Sequence, residues 1–122
     1  KERRIAMAKQ NESILDSIKK QLGIVPEYTV FDDQILLYIN TTFSTLHQLG
    51  IGPDTGYEIV DNTSTWDDIV IDPRFNLIKT YVGMKVKVMF DPPASSFALD
   101  ALNKQIAEFE WRIITENEAG DA

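Results

Sequence analysis

The residue types that carry out most protein chemistry are few in this sequence and poorly placed to act together. His47 is the only histidine, and there is no cysteine. Neither a nucleophile paired with a base nor a cluster of nitrogen and sulfur metal ligands can be assembled from them. The paired Glu-x-x-His motifs with which some helical bundles hold metal ions are also missing. A carboxylate-metal hydrolase is therefore the least favoured function, and the sequence predicts no enzyme, no cofactor and no metal site.

Two pairs of adjacent acids, Asp32–Asp33 and Asp67–Asp68, are the remaining candidates for ligands or for an acid and a base. Neighbouring residues of a helix point in different directions, and acids are favoured where a helix begins. We therefore interpret both pairs as helix-start residues, the second introduced by Thr65 as a cap. Trp66 then either plugs the core or contacts a partner, and both interpretations stay open.

Helical periodicity organises the rest of the chain. Apolar stripes predict helices over residues 11–22, from a Thr29–Asp32 capping box to about residue 48, over 73–90, and from Ser95 or Ser96 onward. Gly23 is placed for a left-handed helix end. The prediction is an all-α bundle of about four helices, with a long acidic loop between the second and third that could hold one arm of a short β-hairpin at residues 57–60.

Charge divides the chain of 122 residues, whose net charge is −7. Residues 1–10 contain four bases and one acid, residues 51–73 six acids and no base, and residues 74–90 four bases and no acid. We predict a basic N-terminal extension at 1–10, a helical domain at 11–113 and an acidic, flexible tail at 114–122. The negative charge disfavours nucleic acid as a primary ligand, and no apolar run is long enough to span a membrane.

The third helix is apolar on two sides. Besides a core stripe, it carries a second stripe with spacings of four, three and four: Leu77, Tyr81, Met84 and Val88. A small bundle rarely surrounds one helix completely, so this stripe is either core beneath the long loop or a contact between subunits. Trp111 lies off the stripe of the fourth helix, among charged residues, where a large aromatic is typical of an interface anchor.

Several segments taken together resemble the small head-to-tail connector, or adaptor, proteins of long-tailed bacteriophages. They are residues 11–23 (NESILDSIKKQLG), 39–40 (IN), 46–53 (LHQLGIGP), Trp66, 78–93 (IKTYVGMKVKVMFDPP) with Ser95, and 108–112 (EFEWR). The order and spacing of these segments carry the resemblance, which covers residues 11–113. Residues 1–10 depart from it.

The resemblance implies a structural virion protein rather than an enzyme. Proteins of this kind form a homo-oligomeric ring, typically of twelve subunits, below the portal protein at the neck of the virion. The ring extends the DNA channel, through which DNA passes only as cargo, and it offers a platform to the next connector, stopper or tail-completion protein. It assembles in the host cytoplasm and involves no membrane.

Two sets of residues are predicted to make these contacts. Neighbouring subunits would meet through Leu77, Tyr81, Met84, Val88 and Trp111. Docking would use Ile114, Glu116 and Glu118 of the tail on the portal, and Trp66, Asp67 and Asp68 of the loop on the tail-side component. The alternative is a small helical interaction or regulatory protein that uses the same apolar stripe to bind one partner.

Overall fold

The computed structural model describes residues 11–70 and 74–121, and the side chains of 117–121 are not among the described parts. The predicted extension at 1–10, Pro73 as a first helical residue and the side chain of Glu118 therefore lie outside the described residues. The described residues form four helices, α1 (Ile14–Gln21), α2 (Asp32–Gln48), α3 (Phe75–Phe90) and α4 (Ser96–Asp121), with a 3₁₀ turn at Trp66–Asp68. The all-α prediction is confirmed. The described residues form no strand, including at 57–60, and contain one isolated β-bridge between Ser13 and Thr65.

Local hydrogen bonding sets the ends of α1. Ser13 caps the helix, its hydroxyl accepting from the Asp16 amide at 3.2 Å. At the other end Gly23 has φ +80°, and the Ile24 amide donates to the Lys19 carbonyl at 2.8 Å. This is the left-handed termination that the sequence predicts, and glycine adopts it without a Cβ clash.

A buried ion pair fixes the start of α2. The predicted Thr29–Asp32 capping box does not form, because α2 begins after Phe31 without a side-chain cap. The Asp32 carboxylate instead pairs with the Lys19 ammonium at 2.8 Å, and Lys19 also donates to the Pro26 carbonyl at 2.9 Å. The Lys19 side chain is 1% exposed, and a charge buried so deeply requires such partners. The pair ties α1 to the start of α2.

The central helix, α3, packs against α1, α2 and α4. Its second stripe faces α4: Tyr81 is fully buried, and its hydroxyl donates to the Glu110 carboxylate of α4 at 2.7 Å. Leu77, Met84 and Val88 are partly buried against the same core. Tyr81 is thus a core residue and not an exposed subunit contact, because a helix of the same chain covers it. Burial, reinforced by Glu110, raises the pKa of Tyr81 well above its ordinary value.

The last helix is longer than the sequence predicts. The Ser95 hydroxyl accepts from the Ala98 amide at 3.1 Å, which confirms the predicted cap. The helix continues through residue 114, where a flexible tail was expected to start, as far as Asp121. Residues 114–119 contain neither proline nor glycine, and they include the strong helix formers glutamate and alanine. The predicted boundary at 113 is therefore not a helix end.

Candidate assembly surfaces

The connection between α2 and α3, which we call the acidic connection (residues 49–70), is attached to the bundle along its length. Asn40 of α2 holds it through two hydrogen bonds to one residue: its amide donates to the Ile59 carbonyl at 2.9 Å, and its side-chain oxygen accepts from the Ile59 amide at 2.8 Å. Gly52 has φ +90°, and a Cβ there would lie 3.1 Å from Ile69. The buried side chains of the connection are Ile51, Ile59, Trp66, Ile69 and Val70.

Trp66 anchors the connection in the core. Its side chain is fully buried, and its indole N–H donates to the Ser17 hydroxyl of α1 at 2.7 Å. Its ring meets Phe43 of α2 and Phe75 of α3 edge-on, at centroid distances of 6.4 and 6.2 Å. Of the two interpretations of Trp66, the core plug is therefore correct, and Trp66 is removed from the docking set because no surface remains for a partner.

Asp68 has a structural role within the connection. Its carboxylate accepts from the Thr65 amide at 3.0 Å and from the Tyr57 hydroxyl at 3.3 Å, which confirms the predicted cap. Partial burial raises the pKa of Tyr57, and the nearby Asp68 adds to this rise. Asp67 contacts the Thr65 hydroxyl and stays half-exposed, while Asp68 is exposed. Both carboxylates thus shape the turn while facing outward.

The outer surface of the acidic connection is negatively charged. It contains no lysine or arginine between residues 49 and 70. Hydrogen bonds from the Thr63 hydroxyl and amide hold the pKa of the Asp61 carboxyl below its usual range. The exposed acids are Asp54, Glu58, Asp61 and Asp68.

The bases of α3 are partly neutralised inside the chain. Lys79 pairs with Glu12 and lies 5.6 Å from the centre of the Phe75 ring, and Lys87 pairs with Asp91 at 2.9 Å. These partners reduce the positive charge that α3 could offer to the acidic connection of another subunit.

The outer face of α4 carries two large exposed aromatics. Phe97 is 85% exposed and Trp111 is 65% exposed. They lie fourteen residues apart, about 21 Å along the helix, and on nearly the same side of it. We call this surface the α4 outer face and define it by the exposed residues at heptad-like spacing: Phe97, Ala101, Lys104, Glu108 and Trp111.

Within this surface, Glu108 pairs with Arg112, whereas Lys104 has no ion-pair partner among the described residues. Trp111 is exposed among charged residues, as the sequence predicts. Its role as an interface anchor stays a prediction. Phe97 was missed, because its sequence neighbours are uncharged and give no contrast of the kind that marks Trp111. Its seven-residue spacing to Lys104 and on to Trp111 is the signal that could have found it.

A second exposed apolar surface lies at the start of α2. Leu37 of α2 is 61% exposed and Val30, just ahead of the helix, is 70% exposed. We call Val30, Asp33, Leu37 and Thr41 the α2 outer face; all four are exposed. α3 packs against both α2 and α4, and each outer face lies on the side of its helix away from the buried residues.

The predicted docking residues whose side chains the structure describes lie at one end of the bundle. α3 and α4 are antiparallel, with Tyr81 meeting Glu110, so the last turns of α4 run toward the first turn of α3. Trp66 packs against Phe75 in that same turn. Ile114 is half-buried and Glu116 exposed on these last turns, on the same end as the acidic connection.

This small helical domain exposes large apolar side chains on α4 and at the start of α2, and it carries an acidic connection at one end. The sequence matches the family of phage connector proteins over residues 14–120, and the chain belongs to that family. It is a structural protein family, and its role is to connect parts of the phage virion. The comparisons with curated proteins and with solved structures find no match.

The described residues hold no helix with the length and apolarity needed to cross a membrane. They also hold no group of three or more histidine, cysteine, aspartate or glutamate side chains arranged to bind a metal ion.

Proposed function

We propose that this protein is a head-to-tail connector that forms a ring, typically of twelve copies, below the portal. The ring extends the DNA channel at the virion neck, DNA passes through it as cargo, and the protein assembles in the host cytoplasm. It has no catalytic activity and needs no cofactor. Membership of the phage connector family supports the connector role.

The observation that carries the ring is the pair of exposed apolar surfaces on different helices of one domain. A cyclic ring is built from heterologous contacts, in which one surface of each copy meets a different surface of the next. The α2 and α4 outer faces support such a contact, since they are two different surfaces whose four large apolar side chains are all more than half exposed. Leu77, Met84 and Val88 are only partly buried. Their solvent-exposed atoms stay predicted contacts of the same interface.

We propose that the acidic end contacts the portal. The sequence predicts portal docking for Ile114, Glu116 and Glu118, and tail-side docking for Asp67 and Asp68. Because the end of α4 and the acidic connection share one end of the bundle, one partner can engage both. The opposite end, with the exposed Val25 and Tyr28 of the α1–α2 loop, is then left for the tail-side component.

The ring is tested by measuring molar mass with light scattering, for the protein alone and mixed with the portal ring of its phage. We expect a large, defined complex in at least one of the two samples. A weak interface need not outweigh the entropy of association in dilute solution, so the portal sample is the decisive one. A monomer that ignores the portal would instead support the small helical interaction protein.

The docking end is tested with two variants in a portal pull-down. Deletion of residues 115–122 and the pair Asp54→Asn with Glu58→Gln, which neutralises two exposed acids of the connection, should both weaken portal binding. The matched control is Glu27→Gln, an exposed acid of the α1–α2 loop at the opposite end, which should bind normally. Weakening by the control alone would place the portal at the other end.

A further inference from the structure

We propose that the α4 outer face of each copy packs against the α2 outer face of the next copy, and that Lys104 and Asp33 form an ion pair across this contact. The inference rests on the proposed ring and specifies which surfaces close it. Its partner is a second copy of this chain.

Apolar exposure selects these two surfaces. On α4, Phe97 and Trp111 lie outside the buried stripe that holds Ile106 and Ile113 against the bundle. On α2, Leu37 lies opposite the buried Ile35 and Ile39. Exposed aromatic side chains supply much of the binding energy at protein interfaces. Because these side chains lie outside the core, truncating them should not disturb the fold.

Charge gives the two surfaces opposite signs at their centres. Lys104 lies midway between Phe97 and Trp111, and Asp33 lies one turn before Leu37. Both are exposed, and neither has a partner among the described side chains. Glu108, the other charged residue of the α4 outer face, is paired with Arg112 at 2.8 Å within the helix. Contact between the two faces would pair the lysine with the aspartate and set their register.

The estimated size of the contact favours a closed ring over an isolated pair. A stripe about 21 Å long and one helix wide, about 10 Å, covers a few hundred Å². Stable pairs usually bury about 800 Å² on each partner, so a single contact of this size is weak. In a closed ring every copy buries both its α2 outer face and its α4 outer face. In an isolated pair each copy buries only one of them, so one face of each copy stays exposed.

The proposal is tested by reversing the charges one at a time and together. Lys104→Glu places two acids in every contact, and Asp33→Lys places two bases there. We expect each single variant to raise the concentration needed for half-maximal ring formation by about tenfold or more, because like charges across a contact repel. The double variant restores the pair within every contact of the ring, so it should assemble close to the wild-type concentration.

Matched controls separate this effect from a general change of charge. Lys20→Glu on α1 and Glu27→Lys on the α1–α2 loop make the same changes at other exposed positions, and both should assemble normally. A second test uses the double variant Phe97→Ala with Trp111→Ala. It should abolish ring formation, while the helix content and melting temperature of the monomer stay unchanged.

The outcomes distinguish the two proposals. Normal rings from Lys104→Glu or from the double aromatic variant would overturn the assigned surfaces while leaving the ring function intact. Failure of the charge-reversed double variant to recover would overturn the pairing of Lys104 with Asp33. If the wild-type protein forms no ring either alone or on the portal, the ring function fails, and the assigned contact fails with it.

Discussion

Trp66 and Trp111, the two tryptophans of the chain, have opposite surroundings. Trp66 belongs to an irregular, acidic connection, yet it is fully buried and hydrogen-bonded to Ser17. Trp111 belongs to a regular helix, yet it is 65% exposed beside the ion pair of Glu108 and Arg112. The irregular region therefore stabilises the fold, while the regular helix presents the exposed surface that we propose for assembly.

The difference shows that local regularity does not indicate which residues form the core. A connection with an outward acidic surface can still be held by a few buried side chains, because each fills a gap between helices. A peripheral helix packs with one stripe only, so its other side is free for a partner. Variants in the two regions should accordingly separate folding from assembly.

The largest effect is expected for Trp66→Ala. Removing this side chain leaves a cavity between three helices and removes the hydrogen bond to the Ser17 hydroxyl, so the free energy of unfolding should fall by about 3 to 5 kcal/mol. Urea denaturation followed by circular dichroism measures it. A loss below about 1 kcal/mol would show that the connection is not anchored through this residue.

A smaller loss is expected for Asn40→Ala. This change removes both hydrogen bonds to the Ile59 backbone and should lower the free energy of unfolding by about 1 to 3 kcal/mol. Amide exchange should speed up at residues 57–60 before it does in the helices. Asn103→Ala on the exposed side of α4 is the control and should be neutral or slightly stabilising, since alanine is the better helix former. Equal effects of both changes would contradict the anchoring role of Asn40.

Tyr81→Phe tests the covered stripe of α3. Loss of the hydrogen bond to Glu110 should destabilise the fold by about 1 to 2 kcal/mol at neutral pH. The folded protein holds the Tyr81 proton more tightly than the unfolded chain, because its pKa is raised in the fold. Its contribution is therefore complete below pH 10 and is lost as pH rises above that value.

The stability difference between wild type and Tyr81→Phe should accordingly shrink in alkaline solution, with the contributions of the lysines cancelling in the comparison. Denaturation curves from pH 8 to 11 measure this difference. A difference that stays constant with pH would place Tyr81 in a solvated site.

The smallest effect on folding is expected for Trp111→Ala. Its exposed ring contributes little to the isolated chain, so the free energy of unfolding should change by less than about 0.5 kcal/mol. Ring formation should nevertheless be weakened strongly. A large loss of stability in the monomer would show that Trp111 belongs to the core, and the contrast with Trp66 would disappear.

The four helices could be predicted from the sequence because their ends are local. Neighbouring residues determine the cap at Ser95, the left-handed conformation of Gly23 and the capping role of Asp68. The start of α2 could not be predicted in this way, because Asp32 finds Lys19 across the α1–α2 loop rather than a local backbone amide. Contacts between distant segments leave no local pattern.

The assembly surfaces could be predicted only in part. A second apolar stripe on α3 shows that two sides are covered, but it does not show whether α4 of the same chain or another subunit covers them. Trp111 was identified by its charged neighbours, whereas Phe97 and Leu37 have no such contrast nearby. Their exposure depends on which side of each helix packs against α3, and that is a property of the whole fold.

Electron cryo-microscopy of the protein assembled on the portal of its phage would decide most directly whether the α4 outer face closes a connector ring. We predict a closed ring in which Phe97 and Trp111 of each copy are buried against α2 of the next copy, with Trp66 inside its own chain. A ring in which the α4 outer face points to solvent, or separate copies on the portal without contact between them, would contradict it.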